Sequence, residues 1–321
     1  MKQNIIEGAL IMTQVKFGWN VPTASPEYIT GKEHVDRVIS VLDDVHESFD
    51  SVWVYDHFHA PPFFDADDYP RLEAWTTMTY LARAFPDMYF GNMVLGQSYR
   101  NPALLAKMAA TLQSLTDGKV ILAIGAGWME SEYDAYGYDF PKASIRIQQL
   151  EEAVQIMKLM WTEKRATFEG EYYQVKDALC EPKPTPVPPI MIGGNGEQLT
   201  LRAVARYADW WNGIGLNPEQ MVQKLNVLRS HCKNEGRDYD EIIKTFAGII
   251  SIAETEAEAK RIASESPRSA SMNYVGTSEQ VIEQIKPYVD AGISHFMMDF
   301  SDFPSSAGAK QFAEEVIPAF K

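Results

Sequence analysis

Two stretches of the chain combine residue types that can do chemistry with a spacing that suits it. The first is Asp56-His57-Phe58-His59, which closes a β-rich run at 51–55. A histidine there can transfer a proton or brace an anionic ring near neutral pH, or it can simply be a structural residue bound to backbone. His57 and His59 also form an H-x-H pair of the kind that opens a hydrolytic metal site. Such a site needs further His, Lys or carboxylate ligands on later strands. The later strand ends offer Gly193-Gly194-Asn195-Gly196 and Asn212-Gly213 instead, so no metal is expected. The second stretch is that glycine run itself, set between an apolar segment and a helical pattern with Leu199, Ala203 and Tyr207 on one face. Glycines let backbone N–H groups approach a ligand, and a helix start carries partial positive charge, which suits an anion or a phosphate. A tight strand-to-helix turn would ask for the same glycines.

The elements that must position these residues recur along the chain. β-rich runs fall at 15–20, 51–55, 89–95, 119–124, 189–192, 210–214, 244–253 and 293–300, several of them continuously apolar as in strands buried on both faces. Helical patterns lie between most of them. Val35, Val38, Ile39, Leu42 and Val45 keep one face, as do Leu104, Leu105, Met108, Leu112 and Leu115. Thr277 and Gln280 form a capping box that opens a helix, and Pro287 is expected to kink or shorten it. Eight strands, most followed by a helix, predict a (β/α)8 TIM barrel. A doubly wound sheet with a second domain would show a linker and a composition break, and neither is present. The wide gap between strands four and five predicts an insertion: a long helix, then a hairpin turning at Glu169-Gly170 between 166–168 and 171–173. The five prolines in 182–189 predict an extended lead into strand five.

In such a barrel the active site lies at the C-terminal strand ends. Those ends carry Asp56-His57, then Asn92-Met93-Val94, then Gly125-Ala126-Gly127-Trp128 with Glu130 just beyond, and the glycine run at 193–196. Trp19, Trp128, Trp210 and Trp211 suggest a flat, aromatic-lined pocket. His295 reads as core or barrel lining. The chain has 321 residues, 29 Lys and Arg against 44 Asp and Glu, and a net charge of −15. With no basic run, nucleic acid and anionic membranes are poor partners. Two distant cysteines, Cys180 and Cys232, fit a reducing compartment, and no apolar run reaches the ~20 residues that span a bilayer. We expect a cytoplasmic protein with one domain over 1–321, residues 1–12 being an N-terminal extension without signal-peptide character.

Several segments together resemble the luciferase-like monooxygenase superfamily, in particular its branch of deazaflavin (coenzyme F420) oxidoreductases. They are 51–58, 98–102, Gly125-Ala126-Gly127-Trp128 with Glu130, Tyr136-Gly137-Tyr138, Phe140-Pro141, and Gly193-Gly194-x-Gly196 with Arg202 and Tyr207-Ala208-Asp209. The resemblance runs from about Val15 to about Asp299. It implies a barrel with an insertion after strand four and a deazaflavin ring in the barrel mouth. Asp56 and His57 would match an Asp-His pair facing that ring, the histidine stabilising an anionic ring or shuttling a proton. Asn92, Met93 and Val94 would lie against the cofactor, with Met93-Val94 at a bulge that often holds a cis peptide. Ala126 and Gly127 would touch the cofactor, and Gly193, Gly194 and Asn195 would form its phosphate turn.

The resemblance implies hydride transfer between coenzyme F420 and a small organic substrate, in a homodimer. The alternative is an FMN-dependent monooxygenase using reduced flavin and oxygen. A non-catalytic cofactor-binding barrel is a third reading. A sugar-phosphate dehydrogenase relative carries Thr-Gly-Glu where this chain has Ala126-Gly127-Trp128, so its glutamate general acid has no direct heir. Glu130, two residues on, is the candidate in its place. Arg100, Lys107 or Lys183 would have to offset the acidity of the chain toward the polyglutamate tail of the cofactor.

Overall fold

Strands that are apolar on both faces need cover on both, and the barrel supplies it. The computed structural model describes residues 14–24, 30–61 and 70–321. The expected extension at 1–12, and most of the loop that follows strand two, lie outside them. In chain order the strands are β1 (Lys16–Val21), β2 (Ser51–Val54), β3 (Tyr89–Asn92), β4 (Leu95–Gly96), β5 (Val120–Gly125), β6 (Ala166–Glu169), β7 (Gln174–Ala178), β8 (Ile190–Gly193), β9 (Trp210–Ile214), β10 (Ile243–Ile252), β11 (Met272–Gly276) and β12 (His295–Phe300). Strands β1, β2, β3, β5, β8, β9, β10 and β12 pair in parallel in that order, and β12 returns to β1, which closes the predicted eight-stranded barrel. The helices that bear on the site are α1 (Gly31–Val45), α2 (Ala74–Ala84), α3 (Pro102–Leu115), α4 (Glu130–Tyr136), α5 (Ala143–Thr162), α6 (Thr200–Tyr207), α7 (Pro218–Glu235), α8 (Glu256–Glu265) and α9 (Ser278–Asp290).

Alternation along each strand sorts side chains between two cores. Phe17, Trp19 and Val21 of β1 face the helices in the large outer core. Trp53, Met93, Ile121, Ala123, Met191, Ala247 and Met297 fill the barrel interior. Trp53 dominates that interior because its neighbours are small. A Cβ on Gly91 would lie 2.3 Å from the Trp53 ring, and one on Gly18 would lie 2.5 Å from its Nε1. Trp53 donates to Ser51 Oγ at 2.8 Å, and Ser51 Oγ meets His295 Nε2 at 2.9 Å. His295 is thus barrel lining, as expected. Removing the Trp53 ring would cost about 3–5 kcal/mol.

Four details depart from the sequence reading. Strand β11 was not anticipated; it pairs with the far end of β10 after a register shift. The third run is split into β3 and β4 at the Met93–Val94 peptide, which is cis. The hairpin in the insertion turns later than Glu169-Gly170. Glu152 of α5 accepts the N–H groups of Glu171, Tyr172 and Tyr173 at 2.7, 3.0 and 2.9 Å, Tyr173 O takes the Gly170 N–H at 3.0 Å across the turn, and β7 begins at Gln174. Helix α9 opens with the Thr277–Gln280 capping box but continues three residues past Pro287 to Asp290.

Candidate active site

At the C-terminal ends of the barrel strands lies a cavity of about 550 Å³. One wall is almost without side chains. Gly125, Ala126, Gly127, Gly193 and Gly194 line it, with Val94 between the two glycine segments. The packing explains the glycines. A Cβ on Gly125 or on Gly193 would lie 2.9 Å from a methyl of Val94, so both strand ends must be bare to admit the bulge. Gly127 has φ +76°, and a Cβ there would fall 1.8 Å from the Tyr133 hydroxyl. Gly194, at φ +132°, donates to Asn212 O at 3.1 Å and accepts from Trp211 Nε1 at 2.9 Å. The Asn195 amide bridges the turn to Ile214, donating to its carbonyl at 2.7 Å and accepting its N–H at 3.3 Å. Among the described residues, the backbone N–H groups of residues 195–200 meet no acceptor, and helix α6 follows them.

The same cavity has a polar wall: Tyr55, His57, Arg71, Tyr99 and Glu132. Glu132, fully buried, organises it. Its Oε2 accepts from His57 Nδ1 at 3.0 Å and from the Tyr99 hydroxyl at 2.9 Å. Its Oε1 accepts the N–H groups of Phe58 and His59 at 2.6 and 3.3 Å. Burial alone would raise the Glu132 carboxyl, but the bonds from His57, Tyr99 and Phe58 outweigh it and hold the group below the usual carboxylate range. Burial, joined by the Glu132 charge, pushes the Tyr99 phenol well above its ordinary value, so it stays a donor. With Nδ1 held by a carboxylate, His57 keeps Nε2 for proton transfer. Trp128, half exposed, packs edge-on to His57 with ring centroids 5.5 Å apart.

The structure brings His57, Met93, Val94, Ala126, Gly127, Gly193 and Gly194 to this cavity and redirects the rest. Glu130 is corrected: it is exposed at the start of α4, while Glu132 points inward. Two residues along a helix are ~200° apart, so the two carboxylates face opposite sides. The stripe Met129, Glu132, Tyr133 and Tyr136, at i, i+3, i+4 and i+7, is the signal that marks Glu132. Asp56 reaches the wall, but its carboxylate is engaged elsewhere, by Arg100 at 2.9 and 3.0 Å and by the Gly96 N–H at 2.9 Å. Asn92 is buried, reaches back to Val54 O at 3.4 Å and does not line the cavity, nor does Asn195. His59 turns to Ala60 O at 3.2 Å and does not converge with His57. Of the four tryptophans only Trp128 lines the cavity; Trp19 and Trp211 belong to the outer core, and Trp210 packs on His295. Nor do the three cations stand ready at the mouth. Arg100 pairs with Asp56 and Glu73, Lys107 bonds Glu181 O, and Lys183 bonds Met160 O at 2.7 Å.

The luciferase-like monooxygenase family model matches residues 15–274. The chain belongs to that family. Among its luciferase-like relatives is an F420-dependent glucose-6-phosphate dehydrogenase from Kineococcus radiotolerans, 30% identical over 86% of this chain and 90% of the relative. Similar folds include an F420-dependent secondary alcohol dehydrogenase in complex with an F420–acetone adduct, with a TM-score of 0.81, 23% identity and coverage of 96% and 99% of the two chains. The coenzyme F420 dependent tetrahydromethanopterin reductase from Methanopyrus kandleri gives 0.78 at 16% identity, covering 96% and 100%. At these identities the two structures speak to the luciferase-like barrel alone.

Proposed function

We propose that this chain is an F420-dependent oxidoreductase that transfers hydride between the deazaflavin and a small organic substrate. The observation that carries the reading is the pairing of a side-chain-free wall with the His57–Glu132 dyad across one cavity. The glycine wall suits a planar ring, because Gly125, Gly127, Gly193 and Gly194 line the cavity with backbone and carry no side chains into it. The unpaired N–H groups of residues 195–200 fit the cofactor phosphate. The relative from Kineococcus radiotolerans supports F420 over FMN.

When bound, the deazaflavin supplies the hydride chemistry. The chain's residues orient and protonate. Val94 and the glycines would hold the ring, with the residues of the polar wall left for the substrate. Glu132 fixes the His57 ring through Nδ1, so that Nε2 takes the proton from a substrate hydroxyl, or returns it in the reverse direction. Tyr99 and the Phe58 N–H hold Glu132 as an anion for that task. Arg100 and the Gly96 N–H anchor Asp56, which ties the segment carrying His57 to β4.

We further propose a cytoplasmic homodimer. No described helix is long and apolar enough to cross a membrane, and both cysteines are free and buried. Leu104 and Leu115 of α3 are exposed apolar residues that a second copy would cover. The function is tested by following F420 absorbance with a panel of alcohols and carbonyl compounds, and FMN with oxygen as the parallel arm. F420-linked turnover of a panel compound supports the proposal; turnover confined to FMN and oxygen contradicts it.

A further inference from the structure

Arg71 belongs to the polar wall, and the reading above does not use its chemistry. It leaves the loop after β2 beside an antiparallel bridge to Ala24, lines the cavity, and is largely buried. Its Nη1 donates to Thr23 Oγ1 at 3.3 Å. Its Nε is out of contact with solvent and meets no acceptor. Among the described residues Nη2 meets none either, and no carboxylate forms an ion pair with this guanidinium. Neighbouring arginines behave differently: Arg100 is closed by Asp56 and Glu73, and Arg268 by Asp299. Glu132 and Asp299 are near enough to be felt by Arg71, yet each is already held, by His57 and Arg268. Burial draws the Arg71 guanidinium below its ordinary value, the mark of a cation that lacks a counterion. In a chain with 44 carboxylates, a cavity-lining arginine that pairs with none among the described residues is a vacancy of charge, and leaving it so is costly.

We propose that Arg71 receives the carboxylate of the substrate, which makes that substrate a hydroxy or oxo monocarboxylate. Thr23 occupies Nη1 and Nε is shut from solvent, so Nη2 is the donor left toward the cavity, where a charge-assisted N–H bond suits a carboxylate oxygen. A dianionic phosphate would call for a second cation. Among the described residues the nearby guanidiniums are neutralised, Arg100 by Asp56 and Glu73 and Arg268 by Asp299. A single guanidinium therefore favours a monoanion over the sugar phosphate named for the relative. The inference rests on the site being that of an F420-dependent oxidoreductase. In the oxidative direction the carbon bearing the hydroxyl gives hydride, with both electrons, to the deazaflavin. The hydroxyl oxygen gives its proton to His57 Nε2. The hydroxy acid becomes the oxo acid, and the deazaflavin is reduced.

The test is a calorimetric titration of the full chain, with and without F420, using matched probes. These are 4-methyl-2-oxopentanoate and 4-methylpentan-2-one, which differ by a carboxylate in place of a methyl, and glucose 6-phosphate. The wild type should bind the oxo acid about tenfold or more tightly than the ketone and than the sugar phosphate. Arg71→Met should erase the preference for the oxo acid, Arg71→Lys should restore part of it, and F420 affinity should be unchanged in both. Circular dichroism confirms that each variant is folded. No preference in the wild type, a preference that survives Arg71→Met, or a loss of F420 affinity in its place overturns the inference. Titration without F420 keeps this result separate from the cofactor assignment, which fails only if F420 itself does not bind.

Discussion

The Nδ1 atom of His57 and the Oε2 atom of Glu132 lie 3.0 Å apart, although the residues are 75 positions apart in the chain. The same carboxylate also takes the Tyr99 hydroxyl and two backbone N–H groups of the segment that carries His57. Side chain and backbone of the His57 segment are therefore set by one residue at the start of the insertion.

Replacing that residue should separate positioning from folding. Glu132→Gln keeps the shape but loses the charge and turns one acceptor into a donor. F420-linked turnover should fall about 100-fold, with F420 affinity retained. Glu130→Gln, on the exposed side of α4, should stay within about twofold, since exposed substitutions rarely matter. Steady-state kinetics on the two variants decide between the carboxylates; equal losses would remove the distinction.

The anchor behind the site is Arg100. Arg100→Met leaves the Asp56 carboxylate buried without its counterion, a change worth about 3–5 kcal/mol. The urea unfolding midpoint should drop accordingly. A variant as stable as the wild type would show that Asp56 does not depend on this pair.

Acid should weaken the fold in two overlapping windows. Burial lowers the His295 imidazole from 6.5 to about 3. Between those values the unfolded chain binds a proton that the folded chain refuses, so stability falls as pH falls below 6.5. Glu132 is held below its ordinary 4.5, so its stabilising effect is present above that value and is lost as pH drops beneath it. Both act in the same direction. Urea midpoints measured across pH 4.5–6.5 should therefore decline toward acid, and His295→Gln should flatten that slope. An unchanged slope in the variant would assign the acid sensitivity elsewhere.

The glycine wall makes a further distinction. Gly127→Ala meets both a positive φ and the Tyr133 hydroxyl, and should destabilise by about 1–3 kcal/mol. Gly193→Ala has ordinary backbone and presses only on Val94, so its main effect should be weaker F420 binding. Thermal unfolding and cofactor titration on the pair separate the two roles; a reversal of the pattern would contradict the packing described for Val94.

The barrel was legible in the sequence because its signals are local. Apolar runs and helical stripes repeat with the right count, and Thr277 with Gln280 marks a helix start wherever the helix ends up. The glycine wall was legible for the same reason, since a strand end without side chains is visible as Gly125, Gly127, Gly193 and Gly194. What sequence could not give was direction across space. Asp56 and His57 are adjacent, so they point to opposite sides of the strand path, and the carboxylate meets Arg100 instead of the cavity. Order along the chain favours Glu130, the carboxylate nearer the strand end, whereas the helical stripe from Met129 selects Glu132, which is the buried one. Strand β11 is short and polar at its start, with Asn273 turned to the Ile249 N–H at 2.9 Å, and carries no apolar run to announce it.

The central claim is that this cavity holds a deazaflavin between the glycine wall and His57. It is tested most directly by titrating the purified protein separately with coenzyme F420 and with FMN and following cofactor fluorescence. We predict saturable quenching of F420 with at least about tenfold tighter binding than FMN, a difference of about 1.4 kcal/mol. Tight binding of FMN with none of F420 would contradict the account.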